Sequence, residues 1–205
     1  ISYISFKTLF KPFNPDQTSE TFQLFEGYRQ QMSLRVAQKN PYWIQNGSVV
    51  SADGYAEGYN RYAQDVLIPS FIAAYTGKDP GSVALIGNSN AKINSNPFAG
   101  YKPMPNWRLN FTGLSRIPAL EKTFTAIAIT HAYQGRLSMN QYNSALLFRD
   151  PFGLSAPSFI DTVSGNYIPF FLLPNITISE GFEPLFGIDV TTKGQLNARA
   201  EYRKT

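Results

Sequence analysis

The chain has no cysteine and a single histidine, and charged residues make up only 16% of its 205 residues. Without cysteine it can form no disulfide framework and no thiolate metal site, and it has no cysteine nucleophile. One histidine without cysteine cannot supply the ligands of a common zinc site. Ordinary globular proteins contain about 25% charged residues, so a charge-rich helical array or coiled coil is excluded.

Long apolar runs are also missing. The most apolar stretches, residues 66–75 and 168–173, are well short of the roughly 20 residues that a transmembrane helix needs. The chain begins at Ile1, without Met and without a secretory h-region, and we expect a mature product or, better, a piece of a longer protein. The net charge is only +4, and its basic residues form no stripe of the kind that binds nucleic acid.

The sequence contains no recognisable catalytic motif. There is no Gly-rich phosphate loop with Walker spacing and no Gly-x-Ser-x-Gly elbow. The carboxylates are too dispersed for their spacing to indicate an acid–base pair; those considered are Asp150, Asp161, Glu180, Glu183 and Asp189. We therefore expect no enzyme activity and no catalytic, cofactor-binding or metal-binding residue.

Aromatic residues, by contrast, reach 15%, with 16 Phe and 12 Tyr, and apolar and polar residues alternate over many segments. Alternation with a period of two indicates strands with one apolar face. The predicted strands are residues 4–10, 107–112, 124–133, 142–148, 175–179, 186–191 and 195–203. Turns are expected at 113–119 and at Lys193-Gly194, an interruption at 181–184, and one long loop at about 150–167.

Between the first two strands the period changes to that of a helix. An apolar stripe after the N-cap candidates Asp16, Thr18 and Ser19 predicts an amphipathic helix that ends near Lys39. A second helix is predicted at residues 64–75, with Pro69 inside it and Gly77 just after its end. The residues expected to pack this insertion are Phe22, Phe25, Tyr28, Met32, Phe71 and Tyr75.

Two architectures explain the alternating strands. In a soluble sandwich the apolar face meets a second sheet, whereas in a transmembrane barrel it meets lipid and the polar face meets an aqueous lumen. Three features favour the barrel: amide- and hydroxyl-rich polar faces, unequal loops, and aromatics near the strand ends. These aromatics are Tyr3, Phe10, Trp107, Tyr133, Phe148 and Tyr202. The alternation itself leaves both architectures open.

On the barrel interpretation, the last strand has a lumen-facing and a lipid-facing side. The residues predicted to face the lumen are Gln195, Asn197, Arg199 and Glu201, and those predicted to face lipid are Leu196, Ala198, Ala200 and Tyr202. His131 lies in the middle of a predicted strand and is expected to be structural or to face the lumen.

Several stretches together resemble one family. They are QDVLIPSFIAAYTGKDP at 64–80, PNWR at 105–108, GLS at 113–115, THAY at 130–133, GIDVT at 187–191 and ARAEY at 198–202. With their spacing they are similar to the SprA family, also called Sov, the very large outer-membrane proteins of gliding motility and type IX secretion in Bacteroidetes. The resemblance covers most of residues 60–205 and is looser over 1–60. Family members are many times longer than this chain.

The resemblance implies a segment of a very large antiparallel transmembrane β-barrel, mainly β, with helical and loop insertions. Residues 1–17 would be a barrel strand, 18–103 an insertion that narrows or caps the pore, and 104–205 further barrel strands, with no independent domain. The implied location is the bacterial outer membrane, where such a channel passes folded cargo proteins.

The partners that the resemblance implies are the rest of the barrel chain, secreted cargo, a PorV-like barrel, a plug protein and the lipid and lipopolysaccharide bilayer. No cofactor and no nucleic-acid partner are expected. Two other classes stay open, a nutrient porin or transporter fragment and a soluble extracellular α+β binding module.

Overall fold

The computed structural model of the chain describes residues 3–4, 15, 18–88, 104–139, 141 and 143–204, with only the backbone of Tyr3 and Ile4. They belong to two compact units. The strand unit consists of Ile1–Phe10, Pro103–Ser138 and Thr177–Thr205, and the helical unit consists of Lys11–Lys102 and Met139–Ile176. Helices account for 26% and strands for 33% of the structure, so the protein is mixed α/β with an antiparallel sheet rather than mainly β.

The described residues form seven strands and four α-helices. The strands are β1 (Tyr3–Ile4), β2 (Trp107–Phe111), β3 (Phe124–Met139), β4 (Asn143–Ser144), β5 (Phe171–Leu172), β6 (Ile176–Thr192) and β7 (Asn197–Lys204). The helices are α1 (Glu20–Ala37), α2 (Pro41–Gln45), α3 (Gln64–Thr76) and α4 (Pro118–Glu121), with a 3-10 turn at Gly113–Arg116. None of these helices is both long and apolar enough to cross a membrane.

The strand unit is built around β6. The sheet order is β1-β6-β3-β2, and β7 also pairs with β6. The pairs β2–β3 and β6–β7 are antiparallel, whereas β1 runs parallel to β6. Alternation alone cannot predict a parallel partner, because the pattern of faces is the same for either strand direction.

The central strands are longer than predicted. β3 continues six residues beyond Tyr133 to Met139, and β6 is a single strand where an interruption at 181–184 was expected. The irregularity appears instead as a bulge between Phe182 and Phe186, which bends a strand without ending it.

Residues 104–205, predicted as barrel strands with one long loop at about 150–167, are divided between the two units. Residues 139–176 belong to the helical unit. Of the strand predicted at 142–148 only Asn143–Ser144 forms, because the chain turns where Phe148 N donates to the Ala145 carbonyl. The strand predicted at 4–10 lies outside the described residues except for Ile4, as does nearly all of the barrel strand predicted at 1–17.

The helix boundaries follow their capping residues. Ser19 caps α1, since its hydroxyl accepts from Phe22 N at 3.2 Å. Asn40 caps α2 in the same way, and Gly77 ends α3 in the left-handed conformation. The helix predicted at 64–75 is confirmed with Pro69 inside it. The predicted helix ending near Lys39 is confirmed with its end at Ala37.

The core of the helical unit joins α1 and α3 to two loops. The ring of Phe25 on α1 meets Phe71 on α3 edge-on at 6.3 Å. Buried Ser33 donates to the Tyr59 carbonyl and accepts from Ala56 N, so α1 holds the loop before α3 by hydrogen bonds as well as by packing. The main cluster of buried residues contains Met32, Val36, Ala37, Trp43, Ala56, Tyr59, Ala63, Val66 and Tyr167.

Gly58 is the tightest point of this core. Its φ is +80°, and a Cβ built on it would overlap the ring of Tyr167. We predict that Gly58→Ala lowers the free energy of unfolding of the helical unit by about 3 kcal/mol, through backbone strain and overpacking together. Urea unfolding followed by emission of Trp43, in a Trp107→Phe background, measures this change.

Gly47 provides the matched control. Its φ is +92°, but nothing lies within 4 Å of an added Cβ. Gly47→Ala should therefore carry only the backbone penalty, about 1 kcal/mol. Equal losses for the two variants would contradict the steric explanation.

Candidate functional site

The hairpin of β6 and β7 presents two chemically different faces. Opposed pairs are Phe186–Tyr202, Ile188–Ala200 and Val190–Ala198 on one face, and Gly187–Glu201, Asp189–Arg199 and Thr191–Asn197 on the other. Because successive side chains point to opposite faces, the apolar pairs stack together and the polar pairs stack together. The hairpin therefore has the segregation that the alternation predicts.

The loop between these strands differs from the prediction. Thr192 N donates to the Leu196 carbonyl and Gln195 N to the Thr192 carbonyl, so the loop is Lys193-Gly194-Gln195, with Gln195 in the left-handed region at φ 64°. This arrangement is typical of three-residue hairpin loops. Gln195 lies in the loop and Leu196 directly precedes β7, so neither lies within the strand in which the sequence placed it, and their lumen-facing and lipid-facing assignments stay predictions.

Charged side chains cover the polar face. Arg199 pairs with Glu201 on its own strand and lies 3.5 Å from Asp189 on β6, while Arg203 Nη2 lies 2.8 Å from Glu201 Oε2. Both signs are interleaved, so the face carries ion pairs rather than a field of one sign. Asn197, Arg199 and Glu201, predicted to share one side, do lie on this face.

The opposite face is apolar and lacks a complete cover. Phe186 is 48% exposed and Tyr202 is 57% exposed. Ala198 and Ala200 are also exposed on β7. At the other edge of the sheet, Leu109 and Phe111 on β2 are 61% and 56% exposed. Exposed apolar side chains that recur along ordered strands are unlike the scattered ones of an ordinary water-facing surface.

An aromatic cluster covers one part of the strand unit. Trp107 stacks on Tyr133 at 4.4 Å, and Tyr133 meets Phe182 at 5.6 Å. His131 joins this cluster at 5.2 Å from Phe182, and its Nδ1 lies 2.7 Å from the Leu185 carbonyl. A carbonyl only accepts, so Nδ1 carries the proton in this contact. His131 thus ties β3 to β6.

The residues predicted to pack the insertion behave unequally. Phe25, Met32 and Phe71 are buried, whereas Tyr28 and Tyr75 are only partly so. Phe22 is 41% exposed, although its ring lies 5.7 Å from that of Phe25. The stripe predicted from the helical period therefore has a buried centre and exposed margins.

Sequence reasoning omitted Asp189 and Arg203 from the predicted site. Both lie on the polar face beside residues that it did name, Asp189 opposite Arg199 and Arg203 beside Glu201. The pairing of Asp189 with Arg199 depends on the length of the loop between β6 and β7. The alternation within one strand carries no information about that length. Arg203 follows the same period as Arg199 and Glu201 and could have been found from it.

Within the described residues, no group of three or more His, Asp or Glu side chains is placed to hold a metal ion. The arrangement of the strand unit can separate an apolar from a polar environment. Comparison of the chain with protein-family models and with curated proteins gave no match.

The contact of His131 gives a testable prediction. In His131→Phe the ring packing is kept, but the Leu185 carbonyl loses its donor. We expect the free energy of unfolding of the strand unit to fall by about 1 kcal/mol, the usual net value of one hydrogen bond. Urea unfolding followed by Trp107 emission, in a Trp43→Phe background, reports it, and an unchanged midpoint would contradict the proposed role.

Proposed function

We propose that this chain forms part of the wall of a very large transmembrane β-barrel in the bacterial outer membrane. The barrel would be a protein-conducting channel of the SprA type, which passes folded cargo proteins to the cell surface in type IX secretion and gliding motility. Its partners would be the rest of the barrel chain, the bilayer, the cargo, a PorV-like barrel and a plug protein.

The observation that carries the proposal is the division of the β6–β7 hairpin into an exposed apolar face and a salt-bridged polar face. In water, the exposed parts of the Phe186 and Tyr202 rings leave apolar area hydrated on one surface. Against hydrocarbon the same rings are favourable, at about 25 cal/mol for each Å² of apolar area removed from water. The paired charges on the other side suit an aqueous lumen.

Strand length supports the same interpretation. A barrel strand needs about 9–11 residues to cross the hydrocarbon layer, and β3 and β6 have 16 and 17 residues. Such strands extend roughly 50 Å at about 3.3 Å per residue, which leaves several residues to project beyond the bilayer. In a large barrel, strands of this length are expected to continue past the bilayer surface into the long loops.

The edges of the sheet are consistent with further strands. In the described part of the sheet, β2 is paired on one side by β3, and β7 is paired only with β6. A long exposed edge strand is prone to pair with whatever backbone it meets. In a barrel both edges pair with neighbouring strands of the wall.

On this proposal, the polar face carries no selective charge. Arg199 and Arg203 are paired with Asp189 and Glu201, so a passing protein meets neutralised ion pairs and amides. A wall without a field of one sign neither attracts nor rejects cargo by its charge. Passage of chemically diverse proteins requires such a surface.

One observation favours the alternative of a soluble extracellular α+β binding module. The helical unit has its own buried cluster around Met32, Tyr59 and Tyr167, which is expected of a part that is stable in water. This alternative predicts that residues 1–205 remain in solution without detergent.

Labelling of adjacent positions on β7 tests the proposal. The native chain has no cysteine, so each introduced thiol is unique within it. In cells that carry the protein in their envelope, Arg199→Cys should react with a membrane-impermeant maleimide, while Ala200→Cys should be protected by lipid. Labelling after denaturation corrects for the amount of each variant.

Glu201→Cys and Tyr202→Cys are the matched second pair, since they repeat the two faces one step along the strand. Reactivity should alternate over all four positions. Equal aqueous reactivity at positions 199 and 200, together with a chain that stays soluble without detergent, would overturn the channel proposal and support the binding module.

A further inference from the structure

A strap of residues 78–88 crosses the helical unit and is fastened at several points. Near its start, Arg35 on α1 donates through Nη1 to the carbonyls of Pro80 at 2.7 Å and Val83 at 2.6 Å. Val83 and Ile86 are buried. The strap therefore closes over α1 by apolar contacts and two charge-assisted hydrogen bonds.

Asn88 fastens the other end of the strap. Its Nδ2 donates to Asp65 Oδ2 at 2.9 Å, and its Oδ1 accepts from Phe170 N at 2.9 Å. Asp65 lies in the first turn of α3, and Phe170 directly precedes β5. One amide thus joins the strap, α3 and the chain that enters β5.

The carboxyl of Asp65, which accepts the hydrogen bond from Asn88, is poorly solvated. Asp65 is only 5% exposed, and its Oδ1 has no hydrogen-bond partner. Among the residues that the structure describes, no lysine, arginine or histidine forms an ion pair with it. A carboxylate without a partner for one oxygen is strongly disfavoured when buried.

The neighbouring amide of Gln64 helps the carboxylate only in part. It lowers the pKa of Asp65, but its Nε2 donates to the Phe171 carbonyl and its Oε1 accepts from Leu173 N, just after β5. The titratable group coupled to Asp65 is the phenol of Tyr59, whose pKa is raised by burial and by the nearby carboxyl, and whose hydroxyl is held by Asn40. Burial raises the pKa of Asp65 to about 6, although the side-chain amides of Asn88 and Gln64 oppose the shift.

We propose that Asp65 is a buried proton-binding site whose protonation keeps the strap fastened to α3 and β5. With a proton on the carboxyl, the group is neutral and its packing against Asn88 costs little. When the proton leaves, the carboxylate needs water, which can reach it only if Asn88 and the end of the strap move away. This inference concerns the helical unit and does not depend on the proposed function.

The direction of the pH dependence follows from the pKa of Asp65 in the closed and in the opened form. With the strap closed the pKa is about 6, and in an opened, hydrated form it would return towards the ordinary value of 3.8. The closed form therefore binds the proton more strongly, and closure weakens as pH rises from about 4 to about 6. The opening equilibrium should increase by up to about 100-fold over that range and then level off.

Two other carboxylates of the helical unit shift in the opposite direction. Burial of Asp150 opposes ionisation, but hydrogen bonds from the Tyr42 hydroxyl and from backbone N–H groups outweigh it and lower its pKa. The hydroxyl and the backbone N–H of Ser164 lower the pKa of Asp161. Both carboxylates stabilise the folded chain at pH values above the ordinary Asp pKa of 3.8, and this stabilisation is lost only as pH falls below that value. It therefore does not overlap with the higher pH range over which Asp65 titrates.

Hydrogen exchange of the full chain tests the proposal. The reporter is the amide of Phe170, which donates to Asn88 in the closed form. Its protection, corrected for the intrinsic pH dependence of exchange, should fall by up to about 100-fold between pH 4 and pH 7. In Asp65→Asn, which carries no titrating carboxyl, protection should not vary over this range.

Asp79→Asn is the matched control, because it makes the same chemical change at an exposed position of the same strap. Its pH profile should follow that of the native chain. The amide of Asn60, which donates to Asn166 Oδ1, serves as an internal reference and should show no step between pH 4 and pH 6. A step there as large as at Phe170 would overturn the assignment to the strap.

A direct titration of Asp65 tests the proposal without any substitution. The carboxyl carbon of Asp65 in the native chain can be followed by NMR from pH 3 to pH 8. A midpoint near the ordinary value of 3.8, or flat protection at Phe170, would overturn the proposal even if Asp65→Asn failed to fold. A midpoint near 6 accompanied by falling protection supports it.

Discussion

The structure of the strand unit depends on the register between β6 and β7. Opposed residues in this hairpin have numbers of the same parity, as in Ile188–Ala200 and Asp189–Arg199. A two-residue turn at Lys193-Gly194 would pair Thr192 with Gln195 and bring Ile188 opposite Arg199, which mixes the faces. The third loop residue, Gln195 at φ 64°, restores the parity. Alternation along each strand yields a two-faced hairpin only because of this one residue.

The difference between local pattern and pairing with a partner strand also explains what could be predicted from the sequence. Local signals were sufficient for α1 and α3, since Ser19 and Gly77 act within one turn of their own helix, whereas the short helices α2 and α4 were not predicted. They also located β2 and the start of β3. The lengths of β3 and β6 could not be predicted, because a partner strand can carry a segment through positions such as Gly135 and Gly181 that weaken a strand considered alone. The parallel partner β1 depends on a contact far apart in sequence.

The candidate site was predicted to a similar degree. Alternation was enough to separate Arg199 and Glu201 from Ala200 and Tyr202, because these residues lie within one regular strand. It placed the start of the strand too early, at Gln195 and Leu196, where the chain is still turning. The ion pair of Arg199 with Asp189 depends on cross-strand register, and Asp65 depends on burial by a strap that shows no periodic pattern.

The helical unit changes how the composition should be interpreted. Low charge with many amides and hydroxyls favours a barrel when the sequence is considered alone, yet this unit uses these groups inside a packed core. Asn40 bonds Tyr59 and Pro157, and Gln64 takes the place of a neighbouring strand by bonding both Phe171 and Leu173. Amides are suited to this because each both donates and accepts. The composition therefore does not by itself favour a barrel, and the argument for a membrane wall rests on the strand unit.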